Sequence, residues 1–294
     1  MVGTVSPSRR IFLAVNALLL AALGLACLFP VIHVIAVSLS SSTAAGAGDV
    51  SLWPIGFTLK SYAFVAVRSE FVRSFLISVK RVAIGVPINL ALCLLLAYPL
   101  SRSLSQFRGR GAVAWFFIVT MLFGGGLIPL FIVVSRLRLM DTIWALILPG
   151  AVQVFSVILL VNFFRDLPRE LEEAAYMDGA GHVSTLWRIF VPLSKPALAT
   201  LALFAIVGHW NAWFDGLIFM NNTDKYPLQS YLQTTVVAVD SKFFSEPDAA
   251  ILRFVSDRTS RAAEIVIAMV PILAVYPFLQ RYFTTGLVLG SVKE

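Results

Sequence analysis

At 294 residues the chain is long enough for two soluble domains, yet no polar stretch in it is long enough to form one. It is 59% hydrophobic and 13% charged, about half the charged share of a soluble domain, with a mean hydropathy of +0.86. The net charge of +7 sits at the ends of apolar stretches, with no basic run interleaved with aromatics, so it fits a membrane surface better than nucleic acid.

Arg9 and Arg10 precede an apolar run over about 11–37. Residues 8–13 resemble a twin-arginine export signal, and Ala45-Gly46-Ala47 could pass for a cleavage site. The run is too long for a signal core and more spans follow, so it reads as an uncleaved first span anchored by cytoplasmic arginines. Residues 39–70 form an external segment, and a second span covers about 82–100. If that helix begins near Phe71, Lys80 and Arg81 lie deep in it and must face a wet cavity. If it begins later, they snorkel into the outer interface. Both readings stand on sequence alone.

Arg102, Arg108 and Arg110 mark a short cytoplasmic turn before a third span over about 112–134. Gly124-Gly125-Gly126 and Pro129 inside it mark either a packing site for a neighbouring helix or a local break lining a cavity. Arg136, Arg138 and Asp141 form an outer connection. A fourth span over about 143–164 carries Pro149-Gly150, Gln153 and Asn162.

Residues 165–195 are polar and charged, although apolar spans lie on both sides. Pro168 falls near a helix start, with Glu170, Glu172 and Glu173 in the early turns. Leu171, Ala174, Ala175 and Asp178 follow helical spacing, which gives a small-residue face suited to close docking. Gly179 supplies the freedom to stop that helix and turn. A second helix over about 182–191, with Leu186, Trp187 and Phe190 within mutual reach, ends before Pro192. The product is a helix-turn-helix bracket between two spans.

A fifth span covers about 196–220. As a continuous helix it places Asn211 beyond the bilayer midplane, with Asn211 and Asp215 on one face and Trp210 and Trp213 on an adjoining one. An acid at such depth is a functional candidate; an aromatic belt with Asp215 reaching water is the plainer reading. Residues 221–261 form an external loop too long for a simple connection, which suggests partner contact. A sixth span over about 262–283 contains Pro271 and Pro277 and leaves a basic, polar tail. Lys and Arg are nearly balanced between the two sides, so the positive-inside rule does not orient the chain.

Glu173-Ala174-Ala175, Asp178-Gly179-Ala180, Trp187-Arg188-Ile189, Pro192 and Pro196 together resemble the EAA loop of binding-protein-dependent ABC importers. Gly124 to Pro129, Asn162-Phe163-Phe164, Trp210 to Asp215 and Tyr276 to Phe283 are similar to the carbohydrate-uptake branch of that family. This branch includes the maltose importer and the importers of complex oligosaccharides such as alginate. The resemblance covers most of the chain. It implies an all-α polytopic transmembrane helix bundle of six spans with the type I ABC importer permease fold. It implies a bacterial inner-membrane location with both termini cytoplasmic, because a loop that docks on an ATPase must face the ATP. The implied partners are a second, different permease subunit, an ATPase dimer, an extracytoplasmic solute-binding protein, an oligosaccharide and membrane lipid.

In the resembling loops the bracket inserts into the ATPase, so Glu173, Ala174, Ala175, Asp178, Gly179 and Ala180 become the coupling candidates. Glu173 and Asp178 would orient the bracket, Ala174 and Ala175 would allow close approach, and Gly179 would make the turn. Trp210 or Trp213 could stack on a sugar ring, with Asn211, Asp215 and Gln153 bonding to hydroxyls. Lys80 and Arg81 facing the pathway would attract an acidic cargo, whereas Asp215 would discourage one.

The chain contains no His-Glu-x-x-His, Gly-x-Ser-x-Gly, Cys-x-x-Cys or phosphate-cradling Gly-x-x-x-x-Gly-Lys-[Ser/Thr] pattern. Its three histidines are far apart, and Cys27 and Cys93 offer neither a disulfide framework nor metal-ligand spacing. The expectation is a non-catalytic subunit with no cofactor of its own, ATP and Mg being held by the partner ATPase. A stand-alone channel, an intramembrane enzyme, and an importer of a non-sugar solute are the competing readings.

Overall fold

The computed structural model describes residues 7–237 and 257–291, and all its regular elements there are helical. Among the described residues three helices are long and apolar enough to cross a membrane unaided. Counting each of three bent helix pairs as one further span brings the number to six. The chain divides into two compact units, Met1–Phe71 with Thr235–Met269, and Val72–Thr234 with Val270–Glu294.

In the first unit, α1 (Pro7–Ser38) covers the expected first span and keeps Pro30 inside it, where the lost backbone bond is tolerated by a membrane helix. Its apolar surface is bare within this chain up to the last turns, where Ala36 and Val37 pack with Ala44, Ala45, Val50 and Ala262. The short α2 (Ser42–Ala47) starts at Ser41, whose side chain accepts from the Ala44 N–H, and closes on Gly48. The would-be cleavage site is therefore helical, with Ala45 buried. Helix α3 (Lys60–Val67) is tied to the last helix, Asp257–Ser291, through a Ser61–Thr259 hydroxyl bond of 3.0 Å and an ion pair from Arg68 to the buried Glu264.

Helix α4 (Ser69–Ser101) starts well before the second span expected at 82–100. Lys80 and Arg81 therefore lie inside a helix, Arg81 buried and Lys80 exposed. In the third span, α5 (Arg110–Leu122) and α6 (Leu127–Arg136) meet at 113°. The glycine run is thus a break, not a packing seam. Gly126 sits at φ 86° and ψ 171°, a region that side-chain-bearing residues do not enter. The fourth span also breaks, by 49°, between α7 (Ile143–Ile147) with the following turn at Leu148–Gly150 and α8 (Val154–Asp166).

The bracket comprises α9 (Arg169–Met177), α10 (His182–Thr185), a π turn at Leu186–Phe190 and α11 (Val191–Leu193). Pro192 lies inside the helical path and does not end it. A corner of 82° at Ser194 leads into α12 (Lys195–Asn211). The fifth span is not continuous, because Ala212 and Trp213 separate α12 from α13 (Phe214–Phe219). Beyond it, α14 (Leu228–Leu232) and a π turn at Gln233–Val237 occupy the start of the expected external loop; residues 238–256 of that loop lie outside the described residues. The last helix begins at Asp257 and continues to Ser291, so the helix that carries the sixth span runs beyond 262–283 at both ends and takes up most of the expected tail.

The main core of the second unit lies beside the bracket. Cys93, Leu94, Ala97 and Tyr98 of α4 pack with Leu160, Val161 and Phe164 of α8, Leu186 and Phe190 of the π turn, and Leu201 of α12. Burying such side chains contributes about 1.5–3 kcal/mol each, enough to hold a polar bracket against the apolar helices.

Candidate functional site

Two polar constructions stand out. The first anchors the bracket. Arg102, just beyond α4, is 7% exposed and ion-paired with Glu172 of α9. Its guanidinium lies 4.5 Å from the centre of the Tyr98 ring and 4.6 Å from that of Phe190, two π faces that stabilise the cation. Its Nε donates to the Tyr98 carbonyl at 3.3 Å. Tyr176 donates its hydroxyl proton to Glu172 at 2.9 Å, so towards His182 Nδ1, also at 2.9 Å, it acts as acceptor and the ring carries its proton there. Burial, together with the neighbouring Tyr98 and Glu172, pushes the Tyr176 phenol above its ordinary range. Gly179, at φ 79°, makes the turn between α9 and α10 as its position in sequence suggests.

Within α9 the inward face is Glu172, Ala175 and Tyr176, while Glu173, Ala174 and Met177 point to solvent. Only Ala175 of the expected small-residue face is buried in this chain. Glu172, next to Glu173, is the α9 carboxylate that pairs with Arg102. Among the described residues neither Glu173 nor Asp178 has a side-chain ion pair or hydrogen bond. Met177, Val183 and Trp187 leave an exposed apolar rim on the bracket, with Met177 88% open.

The second construction is a buried network at the span breaks. Arg81 is 4% exposed and grips Asp215 with both terminal nitrogens, Nη1 at 3.1 Å from Oδ1. Nη2 also donates to the Leu146 carbonyl at 3.0 Å, and Nε donates to His209 Nδ1 at 3.4 Å. An acceptor at Nδ1 leaves the proton on Nε2, which donates to Asn89 Oδ1 at 2.6 Å. The Asn89 amide then donates to the carbonyls of Gly150 and Ala151 at 3.0 and 2.7 Å. Every link runs in one direction, from arginine through a neutral imidazole and an amide to the backbone carbonyls at the fourth-span break. Where helices break away from water, such partners replace the lost ladder.

Gly85 lies on α4 between Arg81 and Asn89, at helical spacing from both. A Cβ there would come within 2.5 Å of His209 Nε2. Gly85→Ala is expected to lower the thermal stability of the purified protein by about 1–3 kcal/mol through displacement of the ring. Gly208→Ala in α12, where a Cβ meets nothing within 4 Å, is the control and should be neutral or slightly stabilising in the same melt.

With this geometry in place, the chain matches the family described as "binding-protein-dependent transport system inner membrane component" over residues 54–288. It belongs to that family. Protein LplC of Bacillus subtilis is 39% identical over 97% of this chain and 95% of its own length. The polygalacturonan/rhamnogalacturonan transport system permease YtcP of the same organism is 37% identical over 92% of this chain and 94% of its own. A crystal structure of a bacterial ABC transporter involved in the import of the acidic polysaccharide alginate contains a chain that superposes with a TM-score of 0.89. That chain is 34% identical, and the match covers 96% of this chain and 99% of the other. The fold is thus the all-helical type I permease fold, and the chain is a membrane component of an ABC transport system.

In this binding-protein-dependent transport component, the pathway candidates separate into two groups. Arg81 and Asp215 come together and neutralise each other, so neither stands as a bare charge towards a cargo. The break at Ala212-Trp213 removes the single helical face expected for Asn211 and Asp215. Trp210 is 4% exposed and packs edge-on against Phe75 at 5.6 Å, which takes it from the stacking candidates. Trp213, 40% exposed, together with Asn211 and Lys80 remains open. Gln153 accepts from Ser156 at 3.2 Å and lines a cavity of about 620 Å³ with Thr120, Phe155 and Phe204. Sequence reading missed Arg102, Glu172, Asn89 and His209. Ser78, Arg81, Gly85 and Asn89 recur at three- and four-residue steps, a polar stripe on an apolar helix that could have flagged the network.

Proposed function

We propose that this chain is one of two different permease subunits of an importer that moves an oligosaccharide across the bacterial inner membrane by alternating access. An acidic polysaccharide of the alginate type is its foremost cargo. ATP and Mg are held by a separate ATPase dimer, and an extracytoplasmic binding protein delivers the sugar. Both termini face the cytoplasm. The single observation that carries this reading is the bracket: a turn at Gly179 and a buried Arg102–Glu172 pair hold it rigidly to α4, while Ala174, Met177, Val183 and Trp187 are left exposed for a partner. Rigid attachment is what turns closure of an ATPase dimer into motion of the spans. The two relatives described as polysaccharide transporters support the cargo class. In this reading Lys80, Asn211, Trp213 and Gln153 contact the sugar; the exposure of the first three and the cavity beside Gln153 support it. A non-sugar solute is the second reading.

The test is ATPase activity of the purified complex in lipid, with its binding protein, across neutral and acidic oligosaccharides. Stimulation by acidic sugars is the expected result. Stimulation by neutral sugars alone would change the cargo, and failure of any ATPase to co-purify would overturn the coupling role. In the same assay Gly179→Val should leave hydrolysis running while uptake collapses. A β-branched residue at φ 79° costs about 1–3 kcal/mol and re-aims the bracket. Normal uptake in that variant would remove the turn from the mechanism.

A further inference from the structure

A cavity of about 500 Å³ lies between the bracket and the ends of three apolar helices. Arg102 follows α4, Arg110 opens α5, and Arg165 sits in the last turn of α8, and all three line it. Arg102 is taken up by Glu172. The other two are bonded only to backbone: Arg110 Nη1 donates to the Arg102 carbonyl at 2.5 Å, and Arg165 Nη2 to the Leu100 carbonyl at 3.1 Å. Among the described residues neither has a carboxylate partner. Glu173 borders the cavity, but its side chain is exposed and makes no ion pair among those residues. Arg110 and Arg165 thus bring two like charges to the wall of one cavity. Ser103, Ser105 and Gln106 add polar groups to the wall, while Phe164, Leu167 and Phe190 give it an apolar flank.

We propose that Arg110 and Arg165 form a binding site for a phosphate group, with the serines and Gln106 completing it. The source the observations favour is the headgroup of an anionic phospholipid, because the cavity opens at the level where three spans end and has an apolar flank. Guanidinium forks match phosphate oxygens two at a time, and an anion between the two arginines would relieve their repulsion. Such a group sits beside the Arg102–Glu172 anchor, where its charge would steady the base of the bracket. The inference takes from the proposed function only the side of the membrane concerned.

The experiment titrates purified complex in detergent separately with short-chain phosphatidylglycerol, phosphatidylcholine and inorganic phosphate, and counts retained ligand by native mass spectrometry. Phosphatidylglycerol should be held in preference to phosphatidylcholine, and Arg110→Gln with Arg165→Gln should weaken that retention roughly thirtyfold. Retention of inorganic phosphate in place of lipid, with the same sensitivity to the two substitutions, would keep the site and assign it to a soluble phosphate. If the double variant fails to fold, Gln106→Glu supplies the answer. It preserves the acceptor for the Ser103 N–H at 3.2 Å while adding a negative charge to the wall, so it should also lower retention. Equal retention by wild type and a folded variant overturns the site. The readout needs no ATPase, so loss of the coupling reading and loss of this site give different results.

Discussion

Asp215→Ala should destabilise the protein by about 3 kcal/mol or more, visible as a lower melting temperature and a loss of monodisperse complex. The reason is asymmetry. The carboxylate is a quarter exposed and would be missed little for itself, but its removal leaves the Arg81 guanidinium almost fully buried with only the Leu146 carbonyl and an imidazole nitrogen. An uncompensated buried charge is among the few defects able to cost a third of a typical folding free energy. The same logic predicts rescue. Arg81→Met combined with Asp215→Leu removes both charges and should recover most of the lost stability. If the double variant transports the wild-type range of sugars, the pair is structural. A changed preference between neutral and acidic sugars would return Arg81 to the pathway.

Glu172→Ala is the second large effect, and it should appear in coupling. The substitution leaves Arg102 buried between Tyr98 and Phe190 without its carboxylate, and Tyr176 without its acceptor. Loss of one partner of such a pair costs about 3–5 kcal/mol, enough to free α9 from α4 while the apolar core of α8 and α12 persists. Uptake should fall more than tenfold while the ATPase keeps turning over without stimulation by cargo. Glu173→Ala, on the outward face, should leave the melting temperature of this chain unchanged. If Glu173→Ala instead destabilises as much as Glu172→Ala, the anchor has been assigned to the wrong neighbour.

That pair of glutamates marks where sequence reading stops. Apolar stretches, the polar bracket and the turn at Gly179 were legible because each is a local property, written in consecutive residues or in one glycine. Glu172 and Glu173 differ only in which way they point. That is settled by Arg102 and Tyr98, some seventy residues earlier in the chain. The breaks were half legible. Gly124 to Gly126 allowed either a seam or a kink, and Pro149-Gly150 lies where α7 ends, but Ala212 and Trp213 carry no breaking signal. Two contacts flank that break, the Arg81–Asp215 pair and the 2.6 Å bond from Ser230 Oγ to the Trp213 carbonyl, and neither is local. Continuous-helix arithmetic holds as far as Asn211 but wrongly put Asp215 on its face, and it kept Trp210 open when Phe75 covers it.

The network at the breaks also has a direction in time. Asn89 precedes the Gly150 and Ala151 carbonyls it serves, so during synthesis the amide is already in place when the broken fourth span emerges. Arg81 waits far longer, because its carboxylate lies 134 residues downstream. Until Asp215 is made, the nascent chain carries a cation in an apolar helix with no counter-charge from the network. Insertion of the fifth span is thus the step that neutralises the second, and a ribosome stalled before it would leave a chain that cannot complete its own interior.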